Sequence, residues 1–457
     1  MSAMEKGESQ GAYSMEKGSG SFLFRNGRVI DPAGNMDMIA DVLVLDGRLE
    51  EIRPEIRLSP DERSRVREVD IAGKWLTPGL LDMHVHLREP GEEYKETISS
   101  GTRAAAAGGY TGVACMPNTH PVNDCAAVTE YILNRAGQEG SCRVFPVGAI
   151  SKGLKGEKLA EFGELQASGA VAVSDDGRPV MNSLLMRRAL EYARIFDLLV
   201  ISHAEDLALS EGGLMNEGAV STLLGLHGIP STAEEAMIAR DLLLTELTRS
   251  KIHIAHVSTA GSVRLIREAK QRGIAVTAET APHYFTLSED ALMTFDPVFK
   301  VNPPLRRPED VEAIKLGLAD GTLDAIATDH APHSVLEKDT EFEFAANGMI
   351  GLESALPLIL SLVKEGVLNP SRAIAKVTCN PARILGVSMG SLCAGAPADL
   401  TVIDPELTHV LNVETFQSKS RNCPFQGREV QGQALLTMME GKVTFFRTDV
   451  TISRMDI

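Results

Sequence analysis

Eight short runs rich in apolar residues recur through the middle of the chain, near 78–87, 110–117, 143–149, 169–175, 197–203, 251–257, 273–279 and 323–329. Amphipathic helical stretches follow nearly all of them, for example SLLMRRALEYARIF and STAEEAMIARDLLLTELTRS. Strand side chains repeat every two residues and helix side chains about every 3.6, so the alternation describes βα units in series. Eight such units predict a (β/α)8 barrel, a fold that carries its chemistry at the C-terminal ends of the strands.

The last residues of the runs are therefore where functional side chains are expected. In GLLDMHVHLREPG, Gly79–Gly91, alternation puts Asp82, His84 and His86 on one face and Leu81, Met83, Val85 and Leu87 on the other. Two imidazoles held side by side can grip one divalent metal, although two partly buried histidines bonded to backbone also fit the pair. In LLVISHAED, His203 ends the face of Leu199 and Ile201; in KIHIAHVST, Ile252 and Ile254 nominate His256 over His253. In LDAIATDHAPH, Asp329 ends the face of Ala325 and Ala327, and in GAVAVSDDG the small residues Ala172 and Ser174 favour Asp176 over Asp175. A strand-end histidine is more often structural, and Asp before Gly commonly forms a turn. Five strands of one barrel ending this way point to a shared metal site. Imidazole and carboxylate without thiolate suit catalytic zinc, which lowers the pKa of a bound water to about 7.

Both ends of the chain have a different texture. FLFRNGRVIDPAGN and DVLVLDGRLEEI place turn signals between β-rich runs, and ADLTVIDPELTHVL and ALLTMMEGKVTFF repeat this near the C-terminus. We expect a polar, disordered extension over 1–20, a composite β-sandwich domain from 21–75 and 389–457, and the barrel over 76–388. A net charge of −17 excludes a general nucleic-acid binder. No apolar run is long enough to span a bilayer, and the first residues carry no apolar secretory core, so a cytoplasmic location is expected. The six cysteines form no CxxC pair and read as reduced thiols.

Taken together, PGLLDMHVHLREPG, GGYTGVACMPNTHPV, VSDDGRPV, ISHAEDLAL, IAHVSTAGSV, KVNPPLR, ATDHAPH and ANGMIGLESALPL resemble the amidohydrolase superfamily and, within it, the class I dihydroorotases of bacterial type. HVHLREPG with MPNT and DDG is the specific part. The resemblance implies two zinc ions: one held by His84, His86 and Asp329, a second by His203 and His256, with Asp176 and a hydroxide bridging them. It implies that His86, Arg88, Asn118, Asn302 and His333 bind substrate together with the backbone around Asn347 and Gly348. The implied reaction is the reversible closure of N-carbamoyl-L-aspartate to (S)-dihydroorotate and water, in pyrimidine biosynthesis, with Asp329 as general acid and base. Arg88 follows His86 on the inward face, where a guanidinium can clamp a carboxylate through two parallel hydrogen bonds. A homodimer is expected, and association with aspartate transcarbamoylase is open.

Relatives often carry Pro-Phe-Gly where this chain has Ala346-Asn347-Gly348, and two adjacent histidines where it has His283-Tyr284. Hydantoinases, dihydropyrimidinases and allantoinases are the nearest alternative, but they commonly bridge their metals with a carbamylated lysine, and VAVSDDG offers none. A metal-free scaffold for the transcarbamoylase should have lost ligands, whereas all six are present. The polar segment Ser334–Gly348 follows the last strand and is expected to close over substrate as a lid.

Overall fold

The computed structural model describes residues 20–447; the extension expected to be disordered lies outside the described residues, Gly20 excepted. All eight expected barrel strands are present: β1 Leu80–Val85, β2 Tyr110–Cys115, β3 Arg143–Gly148, β4 Ala172–Ser174, β5 Leu199–Ser202, β6 Ile252–Ile254, β7 Val276–Thr280 and β8 Ala325–Ile326. They pair in chain order, each parallel to the next. The ends meet where Val85 bridges His330 and the His86 N–H donates to the His330 carbonyl at 2.9 Å.

The pleat sorts the strand residues into two layers. Leu81, Ala114, Val147, Ala172, Leu199 and Ala327 fill the barrel interior. Val113, Val144, Val173, Val200, Ile254 and Ile326 face outward into a second layer shared with the helices. Helix Ala260–Gln271 shows how that layer forms. Thr259 caps it by accepting from the Ser262 N–H, and Val263, Ile266 and Ala269 make its buried stripe against the strands. Each large aliphatic side chain buried this way contributes roughly 1.5–3 kcal/mol.

The two ends of the chain build one further sheet. Phe22–Asp31, Met36–Leu45, Arg48–Arg53, Arg67–Asp70 and Trp75–Pro78 join Leu400–Val410, Glu429–Met439 and Lys442–Phe446. The seam is the antiparallel pairing of Leu400–Ile403 with Trp75–Pro78. Phe24, Val42, Leu400 and Leu436 share its core, so neither end can bury its apolar face alone. Gly79 joins this sheet to β1, and a Cβ there would stand 2.0 Å from the Thr111 hydroxyl. Among the described residues all six cysteines are free, and no helix is long and apolar enough to cross a membrane.

Candidate active site

His84, His86, Asp176, His203, His256 and Asp329 are all buried and meet at the C-terminal mouth of the barrel. His84 Nε2 lies 3.4 Å from Asp176 Oδ1 and 3.6 Å from Asp329 Oδ1. His86 Nε2 lies 3.2 Å from Asp329 Oδ1 and 3.6 Å from Asp176 Oδ2. On the other side, His203 Nδ1 is 3.3 Å and His256 Nε2 3.6 Å from Asp176 Oδ1, and the two ring nitrogens are 2.8 Å apart. Asp176 is thus common to both sides.

The donor set fits a divalent cation. In each of two groups, His84–His86–Asp329 and His84–Asp176–His256, the ligand atoms lie within 4.8 Å of one another. The second group draws in His84, where the sequence suggested His203. His84 Nε2 and Asp176 Oδ1 are buried without a hydrogen-bond partner, a cost of about 1–3 kcal/mol each that a shared cation removes. The charge balance agrees. Burial opposes it, yet the His84 and histidine neighbours hold the Asp176 carboxyl well below the usual carboxylate range. Burial would likewise raise Asp329, but the His86 hydrogen bond and the charges of His84 and His256 hold it low, so it is ionised at neutral pH. Burial would lower His203, but Asp176 and Glu205 lift it to about 10, so without a cation its ring is protonated, and a bound metal would take the place of that proton.

Local backbone irregularities deliver these side chains. Simple alternation fails in β1: Leu81 and Met83 point into the barrel, whereas Val85 and Leu87 join the outer layer. The pairing with β2 shifts register between Asp82 and Val85, and this slip turns both His84 and His86 inward. Asp82 does not join them. It accepts from the Thr328 N–H at 3.2 Å and from the His84 N–H at 3.1 Å, tying β1 to β8. In β6 the expected face is also reversed. Ile252 and Ile254 pack outward, and His253 is buried between them, bonded to Thr277 and 3.4 Å from Glu279. His256 reaches the site because β6 ends at Ile254 and its own φ is 33°. Arg88 (φ 60°) and Asp329 (φ 49°) share that left-handed conformation, which costs a non-glycine residue roughly 1–3 kcal/mol and gathers at functional sites.

Sequence reasoning missed Glu279 and Glu205, and it gave Asn118 and Asn302 only as substrate-binding residues; all four orient the ligands. The Nδ1–H of His84 donates to Glu279 at 2.8 Å, and that of His86 to Asn118 Oδ1 at 2.9 Å. The Nε2–H of His203 donates to Glu205 at 3.2 Å, and Glu205 accepts from Asn302 Nδ2 at 2.9 Å. Each bond commits one ring nitrogen outward and leaves the other for the cluster. Glu279 is the last residue of the run 273–279 and the penultimate residue of β7, so the strand-end rule could have found it.

The other expected residues gather beside the cluster. Arg88 Nε donates to the Pro332 carbonyl at 3.1 Å, and its Nη2 lies 3.4 Å from His333 Nε2. His333 in turn donates to the Asn347 carbonyl at 2.9 Å. Burial, then Arg88, push the His333 imidazole down to about 3, so it is neutral. The contact uses the backbone of Asn347, which is why asparagine can stand at that position. Tyr284 donates to the Pro303 carbonyl at 2.6 Å, next to Asn302, and so braces that loop. The expected lid lies packed down: Phe342 is buried with Met215 and Leu292, while Phe344 is exposed.

A model of the family described as Dihydro-orotase-like matches residues 73–262. The dihydroorotase of Syntrophobacter fumaroxidans is 68% identical over 436 residues, covering 95% of this chain and 99% of that protein. The dihydroorotase of Geotalea daltonii is 56% identical over 427 residues, covering 93% and 100%. Among solved structures, the L-hydantoinase (dihydropyrimidinase) from Arthrobacter aurescens matches with a TM-score of 0.82 at 26% identity, over 92% of this chain and 95% of that one. The dihydropyrimidinase from Brevibacillus agri matches with a TM-score of 0.77 at 22% identity over 93% and 94%, a likeness of fold.

Proposed function

The chain belongs to the dihydroorotases and is a cyclic amide hydrolase of pyrimidine biosynthesis; on that basis we propose how its own residues carry the reaction. The substrate pair is N-carbamoyl-L-aspartate and (S)-dihydroorotate. Two metal ions per subunit would be held here, one by His84, His86 and Asp329 and one by His203 and His256, with Asp176 between them. A divalent metal in this site, zinc by the character of its donors, supplies Lewis acidity to the reacting carbonyl and an activated water at neutral pH.

The rest of the work falls to side chains. In the hydrolytic direction the ring C–N bond breaks. The ionised Asp329 carboxylate takes the proton of the attacking water and returns it to the leaving amide nitrogen. Arg88 clamps the substrate carboxylate through its guanidinium, helped by the Asn118 amide. Neutral His333, Asn302 and the backbone at Asn347 and Gly348 hold the ring, with His86 reaching it from the metal side. Glu279, Asn118 and Glu205 keep the imidazoles in the tautomer that presents a lone pair to the cluster.

The observation that carries this reading is the placement of Arg88 and His333, 3.4 Å apart, beside the ligand cluster. A guanidinium there suits a substrate that bears a carboxylate, which hydantoin lacks. The test is to assay the purified protein with dihydroorotate, hydantoin and allantoin, with metal analysis of the same sample. Turnover of dihydroorotate with bound zinc is expected, and a preference for hydantoin would overturn the substrate assignment. The homodimer and the association with aspartate transcarbamoylase rest on the family resemblance. Light scattering of the protein alone and mixed with the transcarbamoylase checks both.

A further inference from the structure

We propose that Lys338 is a positioning residue for substrate recognition, its ammonium fixing the backbone of Ala346–Gly348 that the substrate ring is held against. The inference rests on the reading above, in which Asn347 and Gly348 face substrate. Lys338 is 8% exposed. Its Nζ donates to the carbonyls of Ala346 at 2.8 Å, Gly348 at 3.0 Å and Lys300 at 3.2 Å. Burial, then the Lys300 charge, pull its pKa down to about 7, and the carbonyls favour the ammonium form against this: all three of its protons go to carbonyls of irregular backbone that no strand or helix ladder satisfies. Lys300 O also accepts from the Gly348 N–H at 2.9 Å, so Gly348 is tied at both of its polar atoms.

Asn422, from the C-terminal end of the chain, converges on the same spot. Its Nδ2 donates to the Gly348 carbonyl at 3.2 Å and to Ala331 O at 2.9 Å, and its Oδ1 accepts from the His333 N–H at 3.3 Å. Gly348 has φ 133°, and a Cβ there would lie 2.8 Å from Ala331 Cβ and 3.1 Å from His333 Nε2. The backbone is therefore pressed against His333. A continuous path results: Lys338 holds Ala346 and Gly348, the Asn347 carbonyl between them holds His333, and His333 sits against Arg88. None of these contacts touches a metal ligand. The pinning acts on binding, not on the reacting atoms.

Burying an ammonium without a carboxylate in contact is unfavourable; a methionine fills the same volume, and of the three carbonyls it would release, Gly348 O keeps Asn422 Nδ2 and Lys300 O keeps the Gly348 N–H. Lys338→Met in the metal-loaded enzyme is therefore expected to fold. Its KM for dihydroorotate should rise roughly 10- to 100-fold, the range expected for charge-assisted hydrogen bonds, with kcat and metal content little changed. Hydrogen exchange across residues 344–348 should speed up in the same variant. A lower melting temperature with unchanged KM would make Lys338 merely structural and overturn the inference. Arg88→Ala, measured alongside, separates the two levels. If it raises KM while Lys338→Met does not, the inference alone fails; if neither moves KM, the recognition reading fails with it. Should the methionine variant not accumulate, Lys338→Gln, neutral and shorter, takes its place: a raised KM supports the inference, and an unchanged KM overturns it.

Discussion

The two sides of the ligand cluster are braced in different ways. His84 leans on Glu279, a residue of β7 that is 1% exposed, through a bond that spans 195 positions. His203 leans on Glu205, two residues further along its own loop and 12% exposed, which is held in turn by Asn302 from another loop. A strand brace is set when the barrel closes, and its neighbours cannot move without breaking the sheet. A loop brace shares its hydrogen bonds with other loops and, in part, with water. The β1 side is therefore preorganised and the β5–β6 side adaptable, so metal should bind more tightly on the β1 side.

Asp176 belongs to both sides, and its loss should have the largest effect. Asp176→Ala is expected to abolish turnover and lower bound metal. Asp175→Ala should be milder, because Asp175 accepts from the Ser151 N–H at 2.9 Å and faces away from the cluster. Metal analysis and kcat on both proteins check this. Equal loss from both, with metal retained, would mean that the shared position is misassigned.

Asp329→Asn comes next. It keeps the shape and an oxygen donor but removes the base, so turnover should fall about 10²–10⁴-fold while much of the metal stays bound. kcat should drop more than KM rises, as for an interaction made mainly in the transition state. Near-normal turnover in a folded, metal-loaded protein would sink the acid–base role.

The braces themselves provide the direct contrast. Glu279→Gln should weaken metal binding roughly 10- to 100-fold, the usual cost of losing a partner of a metal-bound histidine. Glu205→Gln should fall at or below the lower end of that range, under about tenfold. Competition with a chelator ranks the two, and the reverse order would remove the distinction between rigid and adaptable sides. The smallest effect concerns Ser334–Gly348: bound substrate should slow its hydrogen exchange, and equal protection with and without substrate would count against closure.

Much of this is legible in the residue order alone. The barrel strands, the composite β domain and the strand-end positions of His84, His86, Asp176, His203 and Asp329 follow from residue patterns. His256 is reached by a face assignment that the structure reverses, since Ile252 and Ile254 point outward and a left-handed turn brings His256 back. Glu279 looks like one more polar strand end, and Glu205 like one more loop acid. Lys338 has no local signature at all: its partners lie at Lys300, Ala346 and Gly348.

Periodicity is a local property, because each residue's own backbone angles set which way its side chain points, and a pattern of period two or about 3.6 needs no knowledge of distant chain. Fold class and the kinds of ligand present are decided at that level. Register slips, left-handed residues and partners 195 or 97 positions apart are decided only when the sheet closes on itself. Closure forces β1 and β8 together, and the strain and the unpartnered polar atoms it leaves at the mouth of the barrel are what make that end a site.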